Sequence, residues 1–120
     1  PDAVTQAFQK EFSSIKNVSW SAEDNEFEAV FKLNGVDASA NYDKTGHRTE
    51  LELGISTTDL PVDAMNYVTS NYATYKLDEV NKVTNDKNVV SYEVIVSKDG
   101  KSTELLFDTN GKFIKHEKVD

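Results

Sequence analysis

The 120-residue chain contains no cysteine, and it has only two prolines and five glycines. Disulfides, thiolate nucleophiles and cysteine-ligated zinc sites are therefore excluded. No apolar run approaches the roughly 18 residues of a membrane-spanning helix, so we expect no transmembrane segment. The first residues lack the basic and apolar segments of a signal peptide, so either the protein is not exported or its signal precedes residue 1.

Basic residues are also scarce. Thirteen Lys and Arg face 21 Asp and Glu, which gives a net charge of −8 at pH 7. Nucleic-acid binding requires a basic patch or stripe, and the sequence shows none. We therefore expect no nucleic-acid partner. The excess of acidic residues indicates an acidic surface that keeps the protein soluble.

The chain contains an internal repeat. Residues 27–52 align with residues 92–117 at a constant offset of 65 and without a gap. The identical pairs are Glu28/Glu93, Gly35/Gly100, Asp43/Asp108, Gly46/Gly111 and Glu52/Glu117. Such self-similarity is typical of one supersecondary unit used twice. We predict a single domain, residues 1–120, made of two structural repeats at about 1–57 and 58–120.

Spacing predicts the elements of the first half. Apolar residues recur at helical spacing over residues 3–13, and Asp2 precedes them as a helix cap. Alternation of apolar and polar residues predicts the strands that follow. These strands are expected at 18–21, 27–33, 36–43 and around 51–55, with turns at 23–26, 34–35 and 43–46.

The second half repeats this order. Thr58 or Asp59 would cap a second helix that has Pro61 in its first turn. The strands are expected at 80–84, 89–97, 103–107 and, in a more exposed position, around 116–118. The predicted fold class is α+β, with two helices packed on one face of an extended antiparallel sheet of about eight strands. The opposite face of that sheet would be open.

Catalytic motifs are nearly absent. Lys44-Thr45-Gly46 matches one element of the serine beta-lactamases, but the accompanying S-D-N element is missing. His47 and His116 have no evident nucleophile or further metal ligands beside them. We therefore predict that the protein is not an enzyme. We also predict that it has no cofactor, with calcium as the one alternative.

Calcium is the one ion for which the sequence offers candidate ligands. Asp43 and Asp108 begin tight turns that contain glycine, and Glu23, Asp24 and Glu26 place three carboxylates in a further turn. None of these segments has the spacing of an EF-hand loop. An Asp at the start of a glycine turn is also common turn chemistry. These five residues remain the candidate calcium ligands.

Aromatic side chains indicate where a partner would bind. Tyr and Trp are enriched at the centres of interfaces because they combine a large area with a polar tip. Tyr67 and Tyr72 are expected to close the core between helix and sheet. Trp20 and Tyr75 are therefore the aromatic candidates for partner binding.

The two long strands define the face on which a partner would lie. Their alternation predicts burial of Phe27, Ala29, Phe31, Tyr92, Val94 and Val96. Val30 and Ile95 lie between these residues on the open face, and we propose them as partner-binding residues. We predict that Val30 and Ile95 are markedly more exposed than Phe31 and Val96, and that Trp20 borders the same surface.

Several short motifs together resemble one family. They are A-V-x-x-A-F-x-x-x-F from Ala3, N-V-x-W at 17–20, F-E-A-x-F at 27–31 and D-L-P at 59–61. In this order they are similar to the PepSY-like, beta-lactamase-inhibitor-like family of small exported bacterial proteins, mainly from Bacteroidetes. The resemblance implies the fold of the beta-lactamase inhibitory protein and a periplasmic or cell-surface location. It assigns no site residue, and the absence of cysteine separates this chain from the disulfide-bonded namesake inhibitors.

These observations favour a non-enzymatic, exported binding module. Its partner would be a protein or peptide that meets the open sheet face. The alternative is a calcium-binding or calcium-regulated periplasmic protein.

Overall fold

The computed structural model describes residues 1–119. It contains two helices and an eight-stranded antiparallel sheet with strand order β1 to β8, an α+β fold. The elements are α1 Asp2–Glu11, β1 Ser19–Glu23, β2 Glu26–Leu33, β3 Val36–Asp43, β4 Arg48–Gly54, α2 Val62–Asn71, β5 Lys76–Asn85, β6 Val90–Lys98, β7 Lys101–Phe107 and β8 Phe113–Val119. Neither helix within residues 1–119 is long and apolar enough to cross a membrane.

Contacts divide the chain into two compact units. Unit 1 consists of Pro1–Leu53 and Thr84–Asn88, and unit 2 of Gly54–Val83 and the described residues from Val89 onward. Unit 1 thus combines most of the first half of the sequence with a short segment of the second. That the chain is a single domain of two repeats, at about 1–57 and 58–120, stays a prediction.

Helix α1 packs its apolar side on the strands of unit 1. Phe8 lies at the centre, with its ring centroid 5.0 Å from that of Phe31 and 5.2 Å from that of Phe12. Alanines at 29, 38 and 40 are buried beneath these rings, because small residues on the strands leave room for large aromatic residues. The helix ends at Glu11, two residues earlier than predicted, since Phe12 leaves the helical conformation at φ −121° and ψ 56°.

Two tight turns set the register of unit 1. Asn34-Gly35 forms the predicted hairpin turn, and both residues have positive φ, as a type I′ turn requires. Asp24 and Asn25 also have positive φ, at 50° and 66°. They form a turn between the paired strand residues Glu23 and Glu26, so the predicted turn over 23–26 is shorter than expected.

Gly46 brings the turn after β3 against the start of α1. Its φ is +89°, and a Cβ atom built on it would lie 2.6 Å from the backbone oxygen of Ala3. Only glycine permits both this conformation and this approach. Gly111 has the same role in unit 2, where its Cβ would lie 2.7 Å from the Cβ of Pro61.

Helix α2 of unit 2 begins later than predicted. Thr58 and Asp59 belong to a separate 3₁₀ turn, Thr57–Asp59, in which Asp59 Oδ2 accepts a hydrogen bond from the backbone N–H of Ser56 at 3.3 Å. The helix proper starts at Val62, and Pro61 is its N-cap. The expected cap by Thr58 or Asp59 is therefore wrong, because the chain turns once before it enters α2.

The strands of unit 2 close a second core. Val94, Val96, Leu105 and Phe107 are fully buried there, whereas Tyr92 is only half-buried. Tyr67 and Tyr72 pack against this core, as expected. Strand β5 starts at Lys76, four residues before the predicted start, and its Val80 oxygen accepts the N–H of Ile55 at 2.9 Å. Strand β8 is exposed beyond Phe113, as predicted.

Candidate interaction surface

The open face of unit 1 is the side of its strands that lies opposite α1. Cross-strand pairing places its side chains in rows, because paired residues point to the same side of a sheet. One row contains Ser21, Glu28, Asn41 and Glu50, and the next contains Ser19, Val30, Ser39 and Glu52. The face thus carries carboxylates and small polar groups around a single exposed valine.

A shallow acidic cavity of about 360 Å³ lies on this face. It is lined by Ser21, Glu23, Asp24, Glu26, Glu28 and Asn41. The Oδ1 atom of Asn41 is buried and has no hydrogen-bond donor within residues 1–119. Glu26 accepts a hydrogen bond from the Thr49 hydroxyl at 3.0 Å. The cavity therefore offers several carboxylates to a donor from outside, and a buried carbonyl oxygen without a partner lies in its lining.

The structure brings the calcium candidates Glu23, Asp24 and Glu26 together in this cavity, but it uses Asp43 and Asp108 differently. Asp43 Oδ1 accepts hydrogen bonds from the hydroxyl and N–H of Thr45 and from the N–H of His47, at 2.6 to 3.1 Å. The Thr45 hydrogen bond is the main reason that the pKa of Asp43 is lowered. Asp108 Oδ1 likewise accepts two backbone N–H groups of its own turn, each at 2.9 Å.

These hydrogen bonds stabilise the two turns, so turn formation alone explains why an aspartate stands at each position. Within residues 1–119, no group of three or more His, Asp and Glu side chains is arranged to hold a metal ion. The calcium alternative therefore has no support from the geometry.

The exposure of the two aliphatic candidates follows the predicted order. Val30 is 47% exposed and the adjacent Phe31 only 4%. Ile95 is half-buried, whereas Val96 has no exposed surface. Alternation along β2 and β6 accounts for this, since successive side chains point to opposite faces. That Val30 and Ile95 bind a partner stays a prediction.

Trp20 does not border the open face, so that prediction is wrong. It pairs with Ala29, whose side chain points to the helix. The indole accordingly lies 5.4 Å from the ring of Phe8 and 6.2 Å from that of Tyr42. Trp20 is still 37% exposed because β1 is the first strand of the sheet. It forms the rim of the helix-facing core.

Tyr75 also lies on the helix side. Its ring meets that of Tyr72 edge to face at 4.9 Å, and the ammonium of Lys98 lies 5.5 Å from its centroid. Tyr75 is half-buried. The two aromatic candidates and the two aliphatic candidates therefore belong to opposite sides of the strands.

The open face of unit 2 contains a carboxylate cluster that sequence reasoning missed. Glu104 pairs with Ile95 on one side and with Glu117 on the other. Burial, the neighbouring charge of Glu93 and a hydrogen bond to Glu93 raise the pKa of Glu104 to about 7. Asn81, only 8% exposed, donates a hydrogen bond to Glu93 at 2.9 Å. Only the strand register reveals that these residues are neighbours, because they are far apart in sequence.

Both histidines make local contacts with neighbouring side chains. His47 faces Asp86 at 3.2 Å on an exposed surface, and the ring of His116 stacks on Phe113 at 6.3 Å. Lys44 and Thr45 form the turn that Asp43 stabilises. Arg48 contacts Glu11 and so connects β4 to α1. Each of these side chains therefore has a structural contact with its neighbours.

Comparison with solved structures shows the same fold in proteins of Bacteroides. A DUF2874 family protein from Bacteroides uniformis matches with a TM-score of 0.86 at 21% identity, over 99% of this chain and 89% of the other. A protein from Bacteroides eggerthii described as one of the "putative periplasmic proteins" gives 0.88 at 17%, over 99% and 88%. A BLIP-like protein from Bacteroides fragilis gives 0.74 at 19%, over 99% and 86%.

At these identities the structures show the fold alone. None of the curated proteins matches the chain. The family described as "Putative beta-lactamase-inhibitor-like, PepSY-like" matches residues 25–115, which are most of the chain. The resemblance inferred from the short motifs is therefore confirmed: the chain belongs to the PepSY-like, beta-lactamase-inhibitor-like family.

Proposed function

We propose that the protein is a non-enzymatic binding module whose open sheet face meets a protein or peptide partner. The observation that supports this most is Val30, a valine 47% exposed at the centre of a face of carboxylates and hydroxyls. Isolated apolar side chains surrounded by polar groups are typical of non-obligate interfaces. The BLIP-like fold of a relative agrees with a role in protein binding.

The charge of the face sets the chemistry of the partner. In unit 1 the carboxylates of Glu28, Glu50 and Glu52 lie on the same side as Val30. The buried Oδ1 atom of Asn41 lies beside them and also lacks a hydrogen-bond donor. A lysine or arginine side chain supplies both the positive charge and the donors. We therefore propose a basic segment as the part of the partner that meets unit 1.

The test compares two Val→Asp variants. Val30→Asp places a charge on the open face, and Val62→Asp makes the same change at a valine that is 73% exposed on α2. The native protein enriches its partners from a periplasmic extract. Val62→Asp should retain these partners and Val30→Asp should lose them. Ile95→Asp should retain them more weakly than the native protein does. Equal retention by folded Val30→Asp and Val62→Asp would remove the open face from consideration.

We further propose that the protein is exported to the periplasm or cell surface, which the description of the Bacteroides eggerthii relative supports. Fractionation of the native host tests this, and recovery in the cytoplasm alone contradicts it. We also propose that the chain is a tandem repeat with both helices on one face of the sheet. Superposition of residues 18–53 on 83–118 in a crystal structure tests the repeat.

A further inference from the structure

The helix side of unit 2 carries a basic pocket in an otherwise acidic protein. A cavity of about 600 Å³ lies beside the β6–β7 hairpin. Its lining includes Tyr75, Thr103 and the lysines at 98, 101 and 118. Small-molecule sites commonly have volumes of about 300–1,000 Å³, so the pocket has the size of a ligand site. It lies on the side of the strands opposite the open face.

The lysines of this pocket lie close enough in the strand register to repel one another. Lys98 and Lys101 pair directly across the hairpin, and like charges opposite one another destabilise a strand pair. Lys118 lies one strand further, opposite Thr103. Within residues 1–119, none of these three lysines forms an ion pair with a carboxylate. The one acidic residue in the lining is Asp99, which lies in the hairpin turn.

The corresponding hairpin of unit 1 shows that the turn itself does not require lysines. There Leu33 and Val36 flank the Asn34-Gly35 turn in the same positions. The next residue, Lys32, is neutralised by Asp37 at 3.0 Å. Charges on an edge strand discourage sheet association, which explains Lys118. This does not explain Lys98 and Lys101, which lie on two interior strands.

The side chains around the lysines favour an anionic ligand. Lys98 donates a hydrogen bond to the Thr74 hydroxyl at 3.0 Å and lies over the ring of Tyr75, so two contacts hold its ammonium beside the pocket. Thr103 adds a hydroxyl group to the lining. Lysine ammonium groups bind phosphate as point charges, and hydroxyl groups complete the coordination. A tetrahedral oxyanion satisfies three lysines better than a single carboxylate does.

We propose that this pocket binds a small organic ligand that carries a phosphate or sulfate group. The inference is independent of the partner proposed for the open face. The ligand would remove the repulsion between Lys98 and Lys101, and its organic part would lie against Tyr75. Binding should weaken with salt, because dissolved ions screen the attraction between the three lysines and the anionic group.

The experiment follows backbone amide NMR shifts of residues 98–103 at constant ionic strength. The probes are inorganic phosphate, phenyl phosphate, phenyl sulfate and, as an uncharged control, phenol. We expect saturable shifts with the charged probes and none with phenol. Because the two esters share one organic group, tighter binding of phenyl phosphate identifies phosphate esters as the ligand class, and the reverse identifies sulfate esters.

Variants then locate the site. Lys101→Gln should weaken binding at least ~5-fold, the effect of one unit charge at contact distance in water. Lys44→Gln makes the same charge change on an exposed turn of unit 1 and should leave binding unchanged. Lys118→Gln is a second variant if Lys101→Gln fails to fold. The absence of saturation, or equal weakening by Lys44→Gln and the pocket variants, would overturn the proposal.

Discussion

Glu104 should make the stability of the protein depend on pH near neutrality. In the folded protein its pKa is raised from 4.5 to about 7, chiefly by burial and then by Glu93. A group whose folded pKa lies above its unfolded value contributes stability below the unfolded pKa and loses it as pH rises through the folded pKa. The free energy of unfolding should therefore fall between about pH 4.5 and pH 7.

The magnitude follows from the size of that shift and from the exposure of the group. Each pKa unit corresponds to about 1.4 kcal/mol, but Glu104 is partly open to solvent, which screens its interaction with Glu93. We therefore expect a loss of about 1–2 kcal/mol across this range rather than the full value. Lys115 opposes the shift only slightly, since it is the last of the causes.

Urea unfolding from pH 4.5 to pH 8 measures this loss. Glu104→Gln preserves the hydrogen-bonding shape without a charge, so it should flatten the profile and raise stability at pH 8. Glu79→Gln removes one carboxylate from an exposed position in the same unit and should leave the slope unchanged. The reasoning fails if the slope in Glu104→Gln equals that of the native protein.

Three further predictions concern stability. Gly46→Ala should destabilise the protein by more than Gly35→Ala, for which positive φ alone predicts about 1–2 kcal/mol, because the Cβ of the new alanine would also meet Ala3 O at 2.6 Å; equal melting temperatures for the two variants would contradict this. Phe8→Ala should cost about 3–5 kcal/mol in chemical denaturation, because it empties the centre of the unit 1 core, and a loss below ~1 kcal/mol would contradict that packing. Millimolar calcium should raise the melting temperature no more than magnesium does, since specific binding at a hundredfold excess over Kd would add about 2.7 kcal/mol.

Local signals predicted the number and order of the strands and both glycine hairpin turns, although β4 and β5 begin earlier than expected. Asn34-Gly35 and Asp99-Gly100 mark their hairpins because those positions require positive φ. The helix ends were less predictable. Phe12 has an apolar side chain at helical spacing and is buried, yet its backbone is no longer helical. Side-chain periodicity reports which residues are buried, and it does not report where the backbone hydrogen bonds of a helix stop.

The candidate site depended on information that residue spacing does not carry. In the strand of Trp20, the apolar residues Trp20 and Ala22 alternate with polar ones, but this alternation alone does not say which face meets the helix. Its direction comes from the pairing with Ala29. In the same way, Glu93, Glu104 and Asn81 form one cluster through the register of three strands. Cross-strand neighbours of this kind become visible only when the register is known.

Strand β7 presents two opposite chemistries on its two faces, and this leads to a final prediction. Glu104 faces the open side, whereas Lys101 and Thr103 face the pocket, because successive side chains of a strand alternate. Glu104 belongs to a carboxylate cluster and Lys101 to a lysine pair, and the two groups share no hydrogen bond or ion pair in the described residues. Their stability effects should therefore add to within about 0.5 kcal/mol in the double variant Glu104→Gln/Lys101→Gln. Denaturation of the two single variants and the double variant at pH 8 measures the sum. A larger deviation would mean that charge on one face is transmitted to the other, and the open face and the pocket would then have to be treated as one coupled site.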